Sequence, residues 1–332
     1  MINYYALSLI IAFMLVSRGL ELSGIFNHIV VELLTRVRRP LLLLLVLLII
    51  VSGLSASLIM NDAALFIYVS LAMVFIRSMN VDKNITLTLL VLSINMGSAL
   101  TPIGNPQNII IWQTYGISFH ELVCYMAPLV IISLSIIIIS VYMLLKKNIS
   151  VAGITRKLPK IYLNRRLFCA SIVLFVVDIV LAQVGYSVIG LIITVLTYLV
   201  VEKNILLGID YGLIGVFTLM FIDFTELSRI LQGLLVIHLS KSYMIILIAA
   251  PLSQLISNVP ATIMLVNHVD KLVALAVGVN IGGTGSIIGS LANIIALRLG
   301  RLETRKFLKI SIPYFIILLT IFYILAYAKI YP

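Results

Sequence analysis

Asn95-Met-Gly-Ser-Ala-Leu-Thr-Pro-Ile-Gly-Asn-Pro-Gln-Asn108 is a polar, Gly- and Pro-broken stretch inside an apolar segment with no charged residue from Ile85 to Phe119. By hydropathy such a segment belongs in a bilayer. A helix cannot run straight through Gly97, Pro102, Gly104 and Pro106. Pro106 lacks an N–H, and its ring clashes with the carbonyl four residues back. The stretch therefore predicts two half-helices, the second restarting at Pro106 with Asn105 as its side-chain cap. Unwound backbone at membrane depth survives only where it is buried in protein or lines a cavity, so the break is a candidate site. For a single proline in a single span, a kinked structural helix is the simpler reading.

The motif, however, occurs twice. Asn280-Ile-Gly-Gly-Thr-Gly-Ser-Ile-Ile-Gly-Ser-Leu-Ala-Asn293-Ile-Ile295 aligns without gaps on Asn95 to Ile110, with seven identical pairs that include Asn95/Asn280, Gly97/Gly282, Gly104/Gly289 and Asn108/Asn293. Gly283 and Gly285 loosen the second copy further. Upstream of each lies another polar break, Met60-Asn61-Asp62-Ala63 and Ser257-Asn258-Val259-Pro260-Ala261. The openings also correspond: Ile2-Asn-Tyr4 with Ile209-Asp-Tyr211, and Glu21-Leu-Ser23 with Glu226-Leu-Ser228. A tandem duplication with interrupted helices in matching places is the best sequence pointer to a transporter's binding site.

Hydrophobic residues make up 62% of the 332, against roughly 45–50% in soluble domains. The class is a polytopic membrane protein of the cell membrane, with no room for a soluble catalytic domain. It is expected not to be an enzyme, to need no cofactor, and not to bind nucleic acid despite a net charge of +11. The N-terminus carries no basic leader, so Tyr4 to Val16 reads as a retained span. Cys124 and Cys169 read as inert packing residues.

The expected fold is all-α: inverted repeats with about eight full spans, two re-entrant hairpins and two broken helices. Residues 1–145 form the first repeat, 146–208 a linker with two connecting spans, and 209–332 the second repeat. The first hairpin runs from Leu41 to Ile76 and the second from Tyr243 to Val266. Amphipathic stretches are expected over Ser23 to Leu34 and near Leu227 to Leu239. The broken spans are Ile85 to about Tyr115 and Leu272 to Leu297. Lys146 to Arg166 holds seven basic residues and no acid. Placing it in the cytoplasm puts most other Lys and Arg inside as well, as the positive-inside rule expects. Only Arg229, Lys241, Lys271 and Lys329 then fall outside, and both termini face out. Five crossings separate the starts of the two copies, or seven if the first hairpin spans fully. An odd number inverts the second copy relative to the first, so the hairpin tips meet near the midplane.

In that geometry four helix N-termini converge, after Asn61-Asp62, Asn105, Asn258 and Ser290. Each brings unpaired N–H groups and about half a positive charge. With Pro106, Asn108, Ser257 and Asn293 they form an anion site without Lys or Arg. The facing half-helix ends, with Asn95, Ser98, Thr101, Asn280, Thr284 and Ser286, are placed to coordinate a hard cation such as Na⁺. Asp62 reads in two ways, as a helix cap that solvent reaches or as a carrier of H⁺ or a cation. Its charge counts against a dianion at the same spot unless a cation or proton neutralises it. Asp178, mid-span outside the motifs, reads either as structural pairing or as part of a proton path. His28, His120, His238 and His268 form no metal pattern, and Trp112, Tyr115 and Tyr125 read as an interfacial aromatic belt. No phosphate-cradling Gly-Lys-Ser/Thr sequence supports ATP-driven transport.

The two breaks, with Asn61-Asp62 and Ser257-Asn258-Val259-Pro260, resemble the ion transporter superfamily, in its arsenite permease-like and citrate transporter-like branch. The resemblance covers nearly the whole chain. In carboxylate-carrying relatives a Ser-Asn-Thr motif sits at each hairpin tip, whereas the first tip here is more like the arsenite permease side. The resemblance implies a scaffold subdomain, often a homodimer, and a transport subdomain that carries the site across the bilayer. The function expected is secondary active transport of a small anion or oxyanion coupled to H⁺ or Na⁺. The rival readings are a cation/proton antiporter using Asp62 and a channel-like or non-transporting scaffold.

Overall fold

The computed structural model describes residues 3–26, 28–29, 32, 41–79, 81–145, 162–232 and 240–331. Every regular element among them is a helix: α1 (Tyr4–Leu22), α2 (Leu41–Ala56), α3 (Asn61–Met79), α4 (Lys83–Ser98), α5 (Pro106–Tyr115), α6 (Phe119–Leu145), α7 (Arg165–Gln183), α8 (Ser187–Val201), α9 (Asn204–Leu207), α10 (Tyr211–Gln232), α11 (Ser242–Ile256), α12 (Asn258–Leu265), α13 (Leu272–Gly282), α14 (Leu291–Gly300) and α15 (Thr304–Tyr327). Of the spans expected, α1, α6, α7, α10 and α15 are long and apolar enough to cross a membrane uninterrupted. The shorter α8 and the interrupted pairs α4–α5 and α13–α14 supply the others. Helix starts follow capping chemistry. Asn3, Asp82, Asn105, Asn164 and Asp210 each accept a hydrogen bond from the main-chain N–H three residues on, satisfying a donor the helix leaves open.

The helices are inside-out relative to a soluble protein. The buried face of α8 is Ser187, Gly190, Thr194 and Tyr198, while Ile189, Ile192, Leu196 and Val200 are exposed. Small and polar residues line helix–helix contacts in membranes, where apolar chains face lipid. The chain is a multi-pass membrane protein.

Both hairpins are present, and they dock alike. The Asn61 N–H donates to the Gly104 carbonyl at 2.9 Å, and the Asn258 N–H to that of Gly289 at 3.0 Å. Because each tip bonds to the middle of an interrupted helix, each hairpin turns back at that depth. Counting the first hairpin as re-entrant leaves five crossings between the starts of α1 and α10, so the repeats are inverted. Both entering arms pack too closely for a side chain at the break. A Cβ on Gly97 would lie 2.0 Å from the Gly53 carbonyl oxygen, and one on Gly282 would lie 2.7 Å from that of Ala250. No side chain fits there, which is why both positions are glycine.

The returning arms cross over: α3 packs on α14 of the other repeat, and α12 on α5. Reciprocal contacts of this kind are the signature of a twofold relation. The helices α1, α7 and α8 pack on one another, and α1 also packs on α5 and holds the first hairpin tip, where Ser17 Oγ accepts from the Met60 N–H at 3.1 Å.

Several local expectations change. The start of the stretch near Leu227 to Leu239, expected as an amphipathic segment, is instead the end of α10, which continues to Gln232 with Glu226 and Arg229 paired at 2.6 Å on its surface. Residues 27, 30, 31, 33 and 34 of the stretch Ser23 to Leu34, residues 146–161 of the basic connector, and residues 233–239 with His238 lie outside the described residues. Trp112 is 2% exposed, packs edge-on to Phe119 and donates to the Ile117 carbonyl, so it belongs to the core and not to a lipid-facing belt. Cys124 and Cys169 are free and exposed, because each falls on an outward face of its helix and not on the packed one.

Candidate functional site

The first residues of α3, α5, α12 and α14 line one cavity at the repeat interface. Asn61, Asp62, Pro106, Gln107, Asn258, Ser290 and Leu291 are among its walls, and none of its lining residues among those described is basic. Its volume is about 10 Å³, room for about one water. Four helix N-termini aimed at so small a space bring positive partial charge to it without a Lys or Arg, opposed by the one carboxylate of Asp62. Asp62 also faces a larger cavity of about 280 Å³, lined by Arg18, Glu21, Met60, Asp210 and neighbours. Arg18 and Glu21, one turn apart on α1, pair in its wall at 2.7 Å. Asp62 thus stands between the closed centre and a wide vestibule.

Behind the cavity lies a buried amide network that ties the repeats together. The Asn108 amide donates to the Ala99 and Thr101 carbonyls at 2.9 and 3.0 Å. The Asn293 amide donates to the Gly283 and Ser286 carbonyls, both at 2.9 Å. Carbonyls only accept, so these bonds determine which end of each side chain is oxygen. The remaining oxygens receive bonds from the opposite repeat: Asn280 Nδ2 to Asn108 Oδ1 at 2.8 Å, and Asn95 Nδ2 to Asn293 Oδ1 at 2.7 Å.

The symmetry then fails in one informative place. Asn280 Oδ1 accepts from Asn105 Nδ2 at 3.0 Å and from Gln107 Nε2 at 3.2 Å. The positions equivalent to Asn105 and Gln107 in the second copy are Ser290 and Ala292, which carry no amide. Asn95 Oδ1 is accordingly buried without a hydrogen-bond partner, and so is Asn61 Oδ1. Of these two orphaned carbonyl oxygens, that of Asn61 shares the cavity wall with the Asp62 carboxylate, and oxygens of this kind are the ligands a hard cation takes.

Other residues singled out from the sequence play a different part. Thr101 Oγ1 donates to the Ser57 carbonyl at 2.6 Å, and Ser286 Oγ to the equivalent Gln254 carbonyl at 3.0 Å, so both tie a break to its hairpin arm. Thr284 donates to the Ile281 carbonyl at 2.7 Å. Ser98 Oγ donates to the Asn95 carbonyl and accepts from Asn105. The main-chain carbonyls expected to face a cation are largely taken up by the Asn108, Asn293 and Gln254 side chains. Ser257 holds the second tip at φ 77°, ψ 153°, a region that side chains other than glycine's enter at a cost.

Sequence reasoning missed Gln107 and Gln254. Gln107 completes the Asn280 cluster. Gln254 bonds the Gly282 carbonyl and the Ser286 N–H with its side chain, bracing the second break. A glutamine inside an otherwise apolar hairpin arm was the available signal. Asp178 lies elsewhere, in the α7–α8 contact, where Oδ2 accepts from Thr194 at 2.9 Å and Oδ1 has no partner among the described residues.

Residues 1–271 match the model of the citrate transporter family. The chain is 34% identical over 304 residues to the inner membrane protein YbiR of Escherichia coli K12, covering 90% of this chain and 80% of that protein. It is 34% identical over 287 residues to an uncharacterised transporter of Methanocaldococcus jannaschii, covering 83% and 76%. An uncharacterised transporter of Mycobacterium bovis is 23% identical over 346 residues, covering 90% and 79%.

Proposed function

Since the chain belongs to the citrate transporter family, we propose that it is a secondary active transporter that carries a small anion or oxyanion, coupled to H⁺ or Na⁺, through the cavity between its two repeats. The observation that carries this reading is the meeting of four helix N-termini on one cavity that has no basic wall and one carboxylate, Asp62. The N–H groups offer an anion hydrogen bonds without a counter-ion that would hold it too tightly to release. Asp62 repels that anion until a proton or a cation neutralises it, and this requirement is the coupling. The unpartnered oxygens of Asn95 and Asn61 are the neutral ligands for the coupling ion.

A cavity of about 10 Å³ admits no substrate unless the tips part from the half-helices. In this proposal the hairpins and interrupted helices move as a unit against the group α1, α7 and α8, carrying the site from one side to the other. The vestibule beside Asp62 is the route from the side on which α1 ends. Its three carboxylates, Glu21, Asp62 and Asp210, against one Arg18 also favour cation entry there. That feature supports a second reading, cation/proton antiport through Asp62.

Proteoliposome transport of Asp62→Asn tests the assignment. The folded variant should lose dependence on the ion gradient, and unchanged dependence refutes the carrier role. A thermal-shift panel of arsenite, phosphate, sulfate, citrate and Na⁺ on purified protein separates the two readings. Protection by an oxyanion that Na⁺ or low pH strengthens supports the symporter, whereas a response to cations alone supports the antiporter.

A further inference from the structure

A third cavity, of about 740 Å³, lies in the second repeat, between the start of α11, the start of α13 and the end of α15. Three ammonium groups line it, Lys241, Lys271 and Lys329, and among the described residues no acid does. None of the three forms an ion pair among the described residues. Asp270, the neighbour of Lys271 in sequence, is not among the lining residues.

The placement of these lysines runs against two rules at once. Lys241 and Lys271 occupy the N-cap positions of α11 and α13, without a side-chain cap bond. A cation there faces the positive end of the helix, where Ser, Asp or Asn is favoured. The same three residues also break the positive-inside pattern. Of the four basic residues it leaves outside, Arg229 is paired with Glu226, and the other three converge on this one cavity. Like charges gathered at two positive helix ends repel one another unless an anion joins them.

The aromatic wall shows at what depth that anion sits. Tyr243 packs edge-on against Tyr323 and Tyr327 at 5.8 and 5.4 Å, and Lys241 Nζ lies 6.0 Å over the Tyr243 ring. Tyrosine clusters with lysine at a span end mark the headgroup layer of a bilayer. The geometry points to a binding site for the phosphate of an anionic phospholipid headgroup, held by Lys241, Lys271 and Lys329 with the glycerol against Tyr243 and Tyr327. This assignment is independent of the transport reading, since it shares no residue with the central cavity.

The test uses the full chain in neutral detergent. Phosphatidylglycerol, phosphatidylcholine and inorganic phosphate are titrated separately while thermal unfolding is followed. Phosphatidylglycerol should raise the unfolding temperature and phosphatidylcholine should not. The variant carrying Lys241→Gln, Lys271→Gln and Lys329→Gln should bind phosphatidylglycerol on the order of a hundredfold more weakly, about fivefold per lysine. The corresponding triple arginine variant should restore binding. Unchanged melting without lipid certifies the fold of the glutamine variant. If it does not fold, Lys271→Gln alone, expected to be about fivefold weaker, takes its place. Equal protection by phosphatidylcholine, or undiminished protection of the glutamine variant by phosphatidylglycerol, overturns the proposal. Protection by inorganic phosphate that equals that of phosphatidylglycerol overturns the lipid source and leaves a soluble oxyanion as the ligand.

Discussion

Asn95 and Asn280 occupy equivalent positions in the duplicated motif, yet replacing each by leucine should have unequal consequences. Asn280 donates to Asn108 Oδ1 and to the Ala276 carbonyl and accepts from Asn105 and Gln107. Leucine has a similar volume and makes none of these bonds. Asn105 keeps Ser98 as a partner, but Asn108 Oδ1 and Gln107 Nε2 are left without one. Each orphaned buried group costs about 1–3 kcal/mol, so Asn280→Leu should destabilise by about 2–6 kcal/mol. Asn95→Leu breaks one bond, to Asn293 Oδ1, and at the same time removes an oxygen that has no partner. The gain offsets the loss, and the net cost should be about 0–2 kcal/mol. Thermal unfolding in detergent reads the difference, at about 2 °C per kcal/mol for a chain of this size. Taking the middle of each range, about 4 against about 1 kcal/mol, Asn280→Leu should melt about 6 °C below Asn95→Leu by that conversion. Equal melting, or a larger loss for Asn95→Leu, refutes the assignment of the two carbonyls and with it the open oxygen at the site.

Restoring the missing amides tests the same asymmetry from the other side. Ser290→Asn with Ala292→Gln should satisfy Asn95 Oδ1, and cation-dependent transport should weaken about 10- to 100-fold in apparent ion affinity while melting holds or rises; unchanged ion affinity sinks this ligand. Gly97→Ala places a Cβ 2.0 Å from the Gly53 carbonyl oxygen where ordinary contact begins at 3.4 Å. The arms must therefore separate, at an expected loss of about 2–4 kcal/mol. Gly215→Ala on α10, with nothing within 4 Å, should be neutral or stabilising by up to about 1 kcal/mol; a similar loss in both variants argues against the close α2–α4 packing. Ser257→Gly relieves a φ of 77° and should stabilise the protein by about 1 kcal/mol, read as a rise in unfolding temperature; a fall shows that the Ser257 side chain outweighs the strain.

Much of the architecture was legible in the chain because it is written in local chemistry. Apolar length sets a span, proline and glycine end a helix, and asparagine or aspartate caps the next one. Those signals act within a few residues, so the half-helices at Gly97 to Asn105 and Gly282 to Ser290, the hairpin tips at Asn61 and Asn258, and the duplication all followed from reading along the sequence. So did the meeting of four N-termini, because inversion by an odd number of crossings leaves little choice of arrangement. Aromatics near span ends misled, because Trp112 differs from an interfacial residue only by which face of α5 it occupies. Lys241, Lys271 and Lys329 were counted against the charge rule one by one, and their convergence is invisible until α11, α13 and α15 are packed.

The pairing of amides across the repeats is the part that only the tertiary structure decided. Asn95 with Asn293, and Asn280 with Asn108, lie more than 170 residues apart, and no local preference selects one partner among the buried asparagines. The choice comes from packing. Glycines let the hairpin arms approach to main-chain distance, this brings opposite half-helices into register, and each carbonyl then takes the donor that lies within reach. Sequence alone established that there are two interrupted helix pairs in an oily layer. Their docking determined which oxygen is satisfied and which, at Asn95, remains free to bind.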